Sequence, residues 1–272
     1  MTTARILRFY LDDQLRQSAQ AGAHNFIGKI AAVVEGAGFR VEYLPNTPVH
    51  RTRSATLSGY AMFHMEDPVH DRSLTMRRVY AYPFWAIEPT AQRWDWRVAK
   101  TIFQPAEVTR KPADRFYRFW QDRLFGDAPS QTTRDGFVYV PLQGRLTKQR
   151  SFQHCSPIDM VRHVLSHDDR PVVATLHPKE TYSGVDHSAL SALAAEHPRL
   201  TIQTGGMDQL LQGCDHVVTQ NSSAAFFVYF FGKPCVLFAK SDFHHIASSV
   251  YACGVENALT DVSDVQSDYA GY

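Results

Sequence analysis

The C-terminal half of the chain alternates apolar, strand-like segments with helical ones, and this alternation constrains the fold more than any other feature. The sequence predicts strands over 136–142, 172–176, 200–203, 216–219 and 234–239. Helical segments lie between and after them. One begins at Ser156-Pro157, a pair typical of an N-cap and a first helical position, and a last one is predicted from Asp242 to about Cys253. Strands and helices that alternate in this way predict a parallel sheet with right-handed crossovers.

The N-terminal half is less regular but has the same character. Its predicted strands are 6–11, 41–44 and 60–65, with an aromatic, strand-like run over 77–88, and its predicted helices are 25–35, 91–103 and 113–125. The polar stretch 126–135 marks the predicted boundary. We therefore predict an α/β protein with two Rossmann-like parallel-sheet domains, 1–128 and 134–272, which face each other across a cleft.

Composition excludes several classes of function. The 272 residues include 28 Lys+Arg and 27 Asp+Glu, a formal charge of +1, which predicts no general affinity for nucleic acid. No apolar run reaches the ~18 residues that span a bilayer, and the first residues do not resemble a signal peptide. We expect a cytoplasmic protein, and peripheral attachment to the inner face of the membrane stays open. The four cysteines lack Cys-x-x-Cys spacing and are expected to be reduced thiols.

Two polar loops follow predicted buried strands directly. In open α/β sheets, ligands bind at the carboxyl ends of the strands, so two such loops suggest one shared site. The second loop also opens a helix, where unpaired N–H groups favour an anion. The sequence therefore predicts a phosphate site formed by His177, Pro178, Lys179, Gln220, Asn221, Ser222 and Ser223.

Each of these residues also has a purely structural interpretation. His177 could bond only to local backbone, with Pro178 ending the strand, and Ser222 could be an ordinary helix cap. Capping and phosphate binding are compatible. Gln203, Thr204 and Gly205 follow a third strand, where they could contact a base or ribose or simply form a left-handed turn.

The sequence contains no Gly-x-Gly-x-x-Gly, no P-loop motif and no Asp-x-Asp. We therefore expect neither a resident cofactor nor a metal ion against the phosphate, so protein groups must neutralise it. Gln143 and Arg145, which follow the strand 136–142, are assigned to the substrate. His244 is assigned to it as well, with a surface histidine at a helix start as the alternative.

A general base is sought in the N-terminal half. Asp12 and Asp13 follow one predicted strand, and Glu66 and Asp67 follow another, so any of the four could deprotonate an acceptor hydroxyl. The alternative is four solvated loop acids. The arginines of the same half, Arg77, Arg78 and Arg93, could bind an acidic acceptor or flank aromatic packing.

Three motifs in 137–247 resemble those of the capsule polysaccharide synthesis proteins, a family that includes bacterial Kdo transferases acting on CMP-Kdo. They are Val140-Pro141-Leu142-Gln143, Leu176-His177-Pro178-Lys179-Glu180, and Val217 to Ser223 followed by Phe231-Gly232-Lys233-Pro234. The resemblance implies a GT-B architecture and a metal-independent, inverting transfer from a CMP-activated acidic sugar to a glycan or glycolipid. It also implies that His177, Pro178, Ser222 and Ser223 contact the nucleotide.

One departure from the family bears on activity. Family members often place an acid shortly after Pro-Leu-Gln, whereas here the run 144–149 is Gly-Arg-Leu-Thr-Lys-Gln. A catalytically degenerate protein that binds nucleotide or polysaccharide and supports capsule assembly is therefore an alternative. A nucleotide-sugar epimerase or hydrolase on the same fold is another, because fold does not fix the reaction.

Overall fold

The computed structural model describes residues 4–260, 262 and 267–272. The chain divides between Lys100 and Thr101 into two compact units, here called unit 1 and unit 2. Residues 1–3, on which part of the signal-peptide argument depends, lie outside the described residues. Among the described residues, no helix has the length and apolar character needed to cross a bilayer.

Unit 1 is a five-stranded sheet flanked by helices. Its strands are β1 (Ile6–Leu11), β2 (Arg40–Pro45), β3 (Tyr60–His64), β4 (Ser73–Arg78) and β5 (Trp85–Glu88). The order is β2-β1-β3-β4-β5, parallel except for β5. The helices are α1 (Asp13–Gln20), α2 (Asn25–Gly36), α3 (Pro48–Ser54) and the single turn α4 (Arg97–Lys100). The sheet buries both faces.

The period-2 alternation of β1 explains this two-sided burial. Leu7, Phe9 and Leu11 point to one face, where Phe9 and Leu11 are fully buried with Ile27 of α2. Tyr10 points to the other face and packs with Phe63. Each buried apolar side chain of this size contributes about 1.5–3 kcal/mol, so burial fixes the register of β1 within the sheet.

Unit 2 is a fully parallel, six-stranded sheet. Its strands are β6 (Val138–Pro141), β7 (Val172–Leu176), β8 (Leu200–Thr204), β9 (His216–Thr219), β10 (Cys235–Leu237) and β11 (Ser248–Ser249). The order is β11-β10-β9-β6-β7-β8. The helices are α5 (Arg110–Phe125), α6 (Pro157–His167), α7 (Gly184–Glu196), α8 (Met207–Gly213), α9 (Ser223–Val228) and α10 (Val250–Thr260).

The division into units differs from the predicted boundary at 126–135, because α5 belongs to unit 2. Gln121 Nε2 donates to the carbonyl of Phe230 at 2.6 Å, and Tyr117 Oη donates to that of Tyr229. The ring of Phe125 contacts that of Phe231, with centroids 5.0 Å apart. Tyr117 and Phe125 of α5 thus pack on the turn that follows α9.

Three predicted elements are wrong in detail. Residues 91–103 form only a 3₁₀ turn (Arg93–Asp95) and α4, because Trp96 is buried and its indole N–H bonds the carbonyl of Thr90. The run 77–88 is split by a turn into the antiparallel pair β4 and β5. The last helix begins at Val250 rather than at Asp242, since β11 pairs with β10 before it.

Candidate functional site

The strand order of the unit 2 sheet reverses between β6 and β9. The chain adds β7 and β8 on one side of β6 and then returns to place β9 on the other side. The connections after β6 and β9 therefore leave in opposite directions, which opens a crevice at the carboxyl edge. Thr219 Oγ1 donates to the carbonyl of Pro141 at 2.9 Å and joins the two strand ends.

Side-chain amides line this crevice. Gln143, directly after β6, donates through Nε2 to Asn221 Oδ1 at 3.3 Å. Asn221 Nδ2 in turn donates to the carbonyl of Lys240 after β10, at 3.2 Å. The predicted residues Gln143 and Asn221 thus lie together, and their bonds fix both loops.

Further hydrogen bonds connect the loop after β6 to the segment that follows β7. The N–H of Gly144 bonds the Glu180 carboxylate, which comes from the loop after β7. The N–H and Oγ1 of Thr147 both donate to Asp186 Oδ1 at 3.1 Å. These bonds tie the loop to the start of α7, so its backbone is preorganised.

Arg150 places an unpaired cation against this loop, and the sequence analysis did not identify it. Its Nε and Nη2 atoms are buried and have no hydrogen-bond partner among the described residues. The guanidinium lies 4.7 Å from the centroid of the Phe152 ring, and a Cβ at Gly144 would lie 3.0 Å from Nη2. Burial lowers the pKa of Arg150, while the charge of Glu180 opposes that shift.

Buried donors of a guanidinium that lack a partner are costly, because each of them forfeits its hydration. Two further amide atoms, Gln153 Nε2 and Gln220 Oε1, are also buried without a partner in the described part of the chain. Gln220 follows β9, and its Nε2 donates to the carbonyl of Cys155 at 3.1 Å. Such groups are expected where a ligand supplies the missing partners.

The backbone fixes the tautomer of His177, which is exposed after β7. Its Nδ1 accepts the N–H of Lys179 at 3.2 Å, so the proton of the neutral ring lies on Nε2. The N–H of His177 bonds Tyr182 Oη, which donates to the carbonyl of Leu142 at the end of β6. His177 thus presents an N–H donor at the predicted edge.

Ser222 is the N-cap of α9, as the sequence predicted. Its Oγ accepts the N–H of Ala224 at 3.3 Å, and the side chain is nearly buried. The helix runs only from Ser223 to Val228 before a 3₁₀ turn continues it. Because the helix is so short, any anion preference here depends on local N–H groups more than on a long dipole.

The other predicted residues of unit 2 lie farther from the crevice. Gln203, Thr204 and Gly205 end the edge strand β8, and Gly205 adopts φ 72°, which agrees with the left-handed turn interpretation. His244 follows β10, and its Nδ1 lies 2.9 Å from the carbonyl oxygen of Ser241. Arg145, in the loop after β6, and Pro178 and Lys179, in the loop after β7, are exposed.

In unit 1, the four candidate bases have different surroundings. Asp13 pairs with Arg16 at 3.0 Å, and Glu66 pairs with Arg51 at 3.3 Å. Asp67 Oδ1 accepts the N–H of Ala91 at 2.7 Å. Local bonds thus engage these three carboxylates.

Asp12 differs from the other three because it contacts a histidine, His64, at 3.0 Å. Within the described residues, no group of three His, Cys, Asp or Glu side chains is placed to hold a metal ion.

Comparisons with known proteins bear on the fold. No family model matches the chain, and no curated protein matches it either. Among solved structures, it is similar to Thermosulfurimonas dismutans KpsC, beta Kdo 2,7 transferase, with a TM-score of 0.60 and 10% identity over 98% of this chain and 89% of that one. The beta Kdo 2,4 transferase of the same KpsC gives a TM-score of 0.52 and 11% identity over 98% and 90%.

At this level of identity the likeness concerns the fold alone. It confirms the predicted fold class, because the neighbours are glycosyltransferases of the GT-B type and both sheets of this chain are parallel or nearly so. The chain is thus an α/β protein with a GT-B-like fold.

Proposed function

We propose that this protein is a glycosyltransferase of capsule or surface polysaccharide biosynthesis that takes an acidic, Kdo-like sugar from a CMP-linked donor. Two observations support the proposal. The structural neighbours are KpsC Kdo transferases, and the three family-like motifs converge on one edge of unit 2. The single observation that carries it is the crevice between β6 and β9, where Gln143 meets Asn221, with Arg150 Nε and Nη2 buried without a partner among the described residues beside Gly144 of the β6 loop.

The chemistry of the crevice suits an anionic leaving group. In transfer from a CMP-sugar, the bond from the anomeric carbon to the phosphate oxygen breaks, and its electron pair stays on the phosphate. Arg150 and the Nε2–H of His177 are N–H donors that would stabilise this charge. Fixed donors in a partly dehydrated site need no reorganisation during the reaction, which is how such groups lower a barrier. The proposed transfer is metal-independent.

A non-catalytic alternative has one specific observation in its favour. The run 144–149 lacks the acid that the family resembled by the motifs often has there, and the two carboxylates that bond this run, Glu180 and Asp186, already accept hydrogen bonds from it. Turnover separates the two functions, since a binding protein releases no CMP from CMP-Kdo or CMP-sialic acid. Product analysis with several nucleotide sugars would identify an epimerase or hydrolase.

The acceptor is proposed to be a glycan or glycolipid, and the outer face of α5 suits peripheral contact with capsule machinery or the membrane. Phe116 and Phe119 are 57% and 56% exposed. The exposed basic residues Lys111, Arg115, Arg118 and Arg123 share the helix. An apolar strip with basic flanks is typical of helices that bind anionic membrane surfaces.

A nucleotide panel tests the donor class. A ligand at 100 times its dissociation constant adds about 2.7 kcal/mol of stability, which raises the Tm of a protein of this size by roughly 5–10 °C. We expect CMP to give this shift at a lower concentration than UMP or GMP. Equal shifts for all three nucleotides, or none, would contradict a cytidine donor.

A further inference from the structure

The guanidinium of Arg150 has close contacts with two groups of unit 2. A Cβ built on Gly144 would lie 3.0 Å from Nη2 and 3.3 Å from Cζ, so the guanidinium occupies space that a side chain at position 144 would need. Cζ also lies over the Phe152 ring, 4.7 Å from its centroid, which is a cation–π distance. These two contacts orient the guanidinium within the loop that follows β6.

The edge of the guanidinium that lacks partners has a specific geometry. Nε and Nη2, here called the Arg150 fork, carry N–H groups that point the same way, and neither atom has a partner among the described residues. Such a pair of donors matches two oxygens of one carboxylate or phosphate, which a lysine ammonium does not. Glu180 lies close enough for its charge to act on Arg150, yet its carboxylate accepts the N–H of Gly144.

Neighbouring amides fix the backbone that carries Arg150. The N–H of Arg150 donates to Gln153 Oε1 at 2.8 Å, and the carbonyl of Arg150 accepts the N–H of Gln153 at 2.9 Å. Gln149 Nε2 donates to the carbonyl of Gln153 at 2.9 Å. The turn 149–153 is therefore closed by its own hydrogen bonds, so little of its backbone has to be ordered when an anion binds.

The backbone of Phe152 is attached to the sheet of unit 2. The N–H of Lys240 donates to the carbonyl of Phe152 at 2.9 Å. The next residue, Gln153, forms an isolated antiparallel bridge with Ala239. Lys240 and Ala239 both lie just beyond β10. The segment that carries the aromatic ring is thus fixed to the carboxyl end of the sheet.

We propose that the Arg150 fork binds two oxygens of the donor phosphate bidentately, and that Gly144 and Phe152 are its positioning residues. The inference rests on the proposed glycosyl transfer and deepens it. A positive charge alone does not meet this description, because the fork, its orientation and the missing side chain at position 144 are all required. The phosphate of a CMP-linked sugar has two oxygens outside its ester bonds, which is the pair that such a fork binds.

Arg150→Lys separates the fork from a point charge, because lysine keeps the charge and lacks the planar pair of donors. Calorimetric titration with CMP and with cytidine, which has no phosphate, measures both affinities. R150K is expected to weaken CMP binding about 10-fold or more and to leave cytidine binding unchanged. R150K that binds CMP as tightly as the wild type would overturn the proposal.

Gly144→Ala tests the contact beside the guanidinium. Gly144 has φ 73°, so the added methyl group strains the backbone and also presses on Nη2. Gly136→Ala is the matched control, because Gly136 has φ 78° and open space where its Cβ would lie. Both variants should lower the Tm, but only G144A should weaken CMP binding, severalfold. Equal CMP affinity of G144A and G136A would refute the role of Gly144.

Phe152→Leu keeps an apolar side chain and removes the aromatic face. It should weaken CMP binding about 2- to 5-fold and leave cytidine binding unchanged, because an exposed cation–π contact is modest in strength. Unchanged CMP affinity in F152L would refute the role of Phe152.

Failure of the fork is distinguishable from failure of the proposed function. A wild type that binds CMP, with R150K and G144A binding it equally well, refutes the fork and leaves the donor class intact. A wild type without affinity for CMP refutes the cytidine donor, and the fork with it.

Discussion

The two sheets reverse at equivalent places and carry opposite chemistry there. At the β6/β9 edge of unit 2, the side chains offer donors and positive charge, with Arg150 and His177 presenting N–H groups. At the β1/β3 edge of unit 1, the His64–Asp12 pair offers a lone pair to a proton. One topology can therefore carry different side-chain chemistry at its two reversal points.

This difference predicts that variants will separate into two classes. Changes at the unit 2 edge should alter nucleotide affinity, whereas changes at the unit 1 edge should leave nucleotide affinity unchanged. The predictions below test that separation, from the largest expected effect to the smallest.

Replacing Arg150 by Gln should weaken CMP binding about 10–100-fold, because a hydrogen bond to a charged group contributes about 1.5–3 kcal/mol. Calorimetric titration measures the change. Lys148→Gln is the control, since Lys148 is an exposed cation of the same loop.

Unfolding of the ligand-free R150Q protein sharpens this prediction. If Arg150 serves an anion, removing its partly buried charge, with the unsatisfied donors Nε and Nη2, should leave the Tm equal or higher. A lower Tm together with unchanged CMP affinity would mean that Arg150 is structural.

The next prediction concerns a buried histidine of unit 2 with a lowered pKa. His216, at the amino end of β9, is almost fully buried, and burial, with Arg170 nearby, lowers its pKa to about 4. Above pH 6.5 the ring is neutral in both states, so stability is full. Between pH 6.5 and about 4, the unfolded chain takes up a proton that the folded protein excludes, and stability should fall by on the order of 1–3 kcal/mol.

Urea unfolding at pH 7.5 and pH 5 measures this loss. His216→Gln should flatten the pH dependence and lower stability without changing kcat for the protein that remains folded. An H216Q protein with a wild-type pH dependence of stability would show that this histidine is not the group responsible.

Ser222→Ala should lower stability by about 1 kcal/mol through the lost cap of α9. The same change should weaken CMP binding severalfold if the Asn221-Ser222 turn contacts phosphate. Both are measured by thermal unfolding with and without CMP. A lower Tm with unaltered CMP affinity would show that Ser222 only caps α9 and does not contact the phosphate.

The smallest expected effect is on association with vesicles. Phe116→Ser combined with Phe119→Ser should reduce flotation with anionic vesicles and leave the small binding to neutral ones unchanged. Equal flotation of the wild type with both kinds of vesicle would contradict a basic, apolar α5 surface.

Much of unit 2 was predictable from sequence because its strands are continuous apolar runs separated by clear caps. The N-cap Ser156 and β9 at His216–Thr219 were identified correctly. Unit 1 was harder, since α1 and α3 are short and their caps, Asp12 and Thr47, precede polar or basic residues rather than an apolar stripe.

The sequence analysis missed Arg150 for a physical reason. Arg150 is seven residues beyond Gln143, and only the folded loop brings it back to Gly144. His64 and Asp12 were both noted at predicted strand ends, but they are 52 positions apart, so no local spacing reveals that they form a pair. A strand-end histidine and a strand-end acid on neighbouring parallel strands were the available signal.

The most direct test of the account is a crystal structure of the protein with CMP bound. The account predicts the phosphate between the β6 and β9 loops, within hydrogen-bond distance of the Arg150 guanidinium and of His177 Nε2. A nucleotide bound elsewhere, or a phosphate in that crevice that leaves Arg150 unpaired, would contradict it.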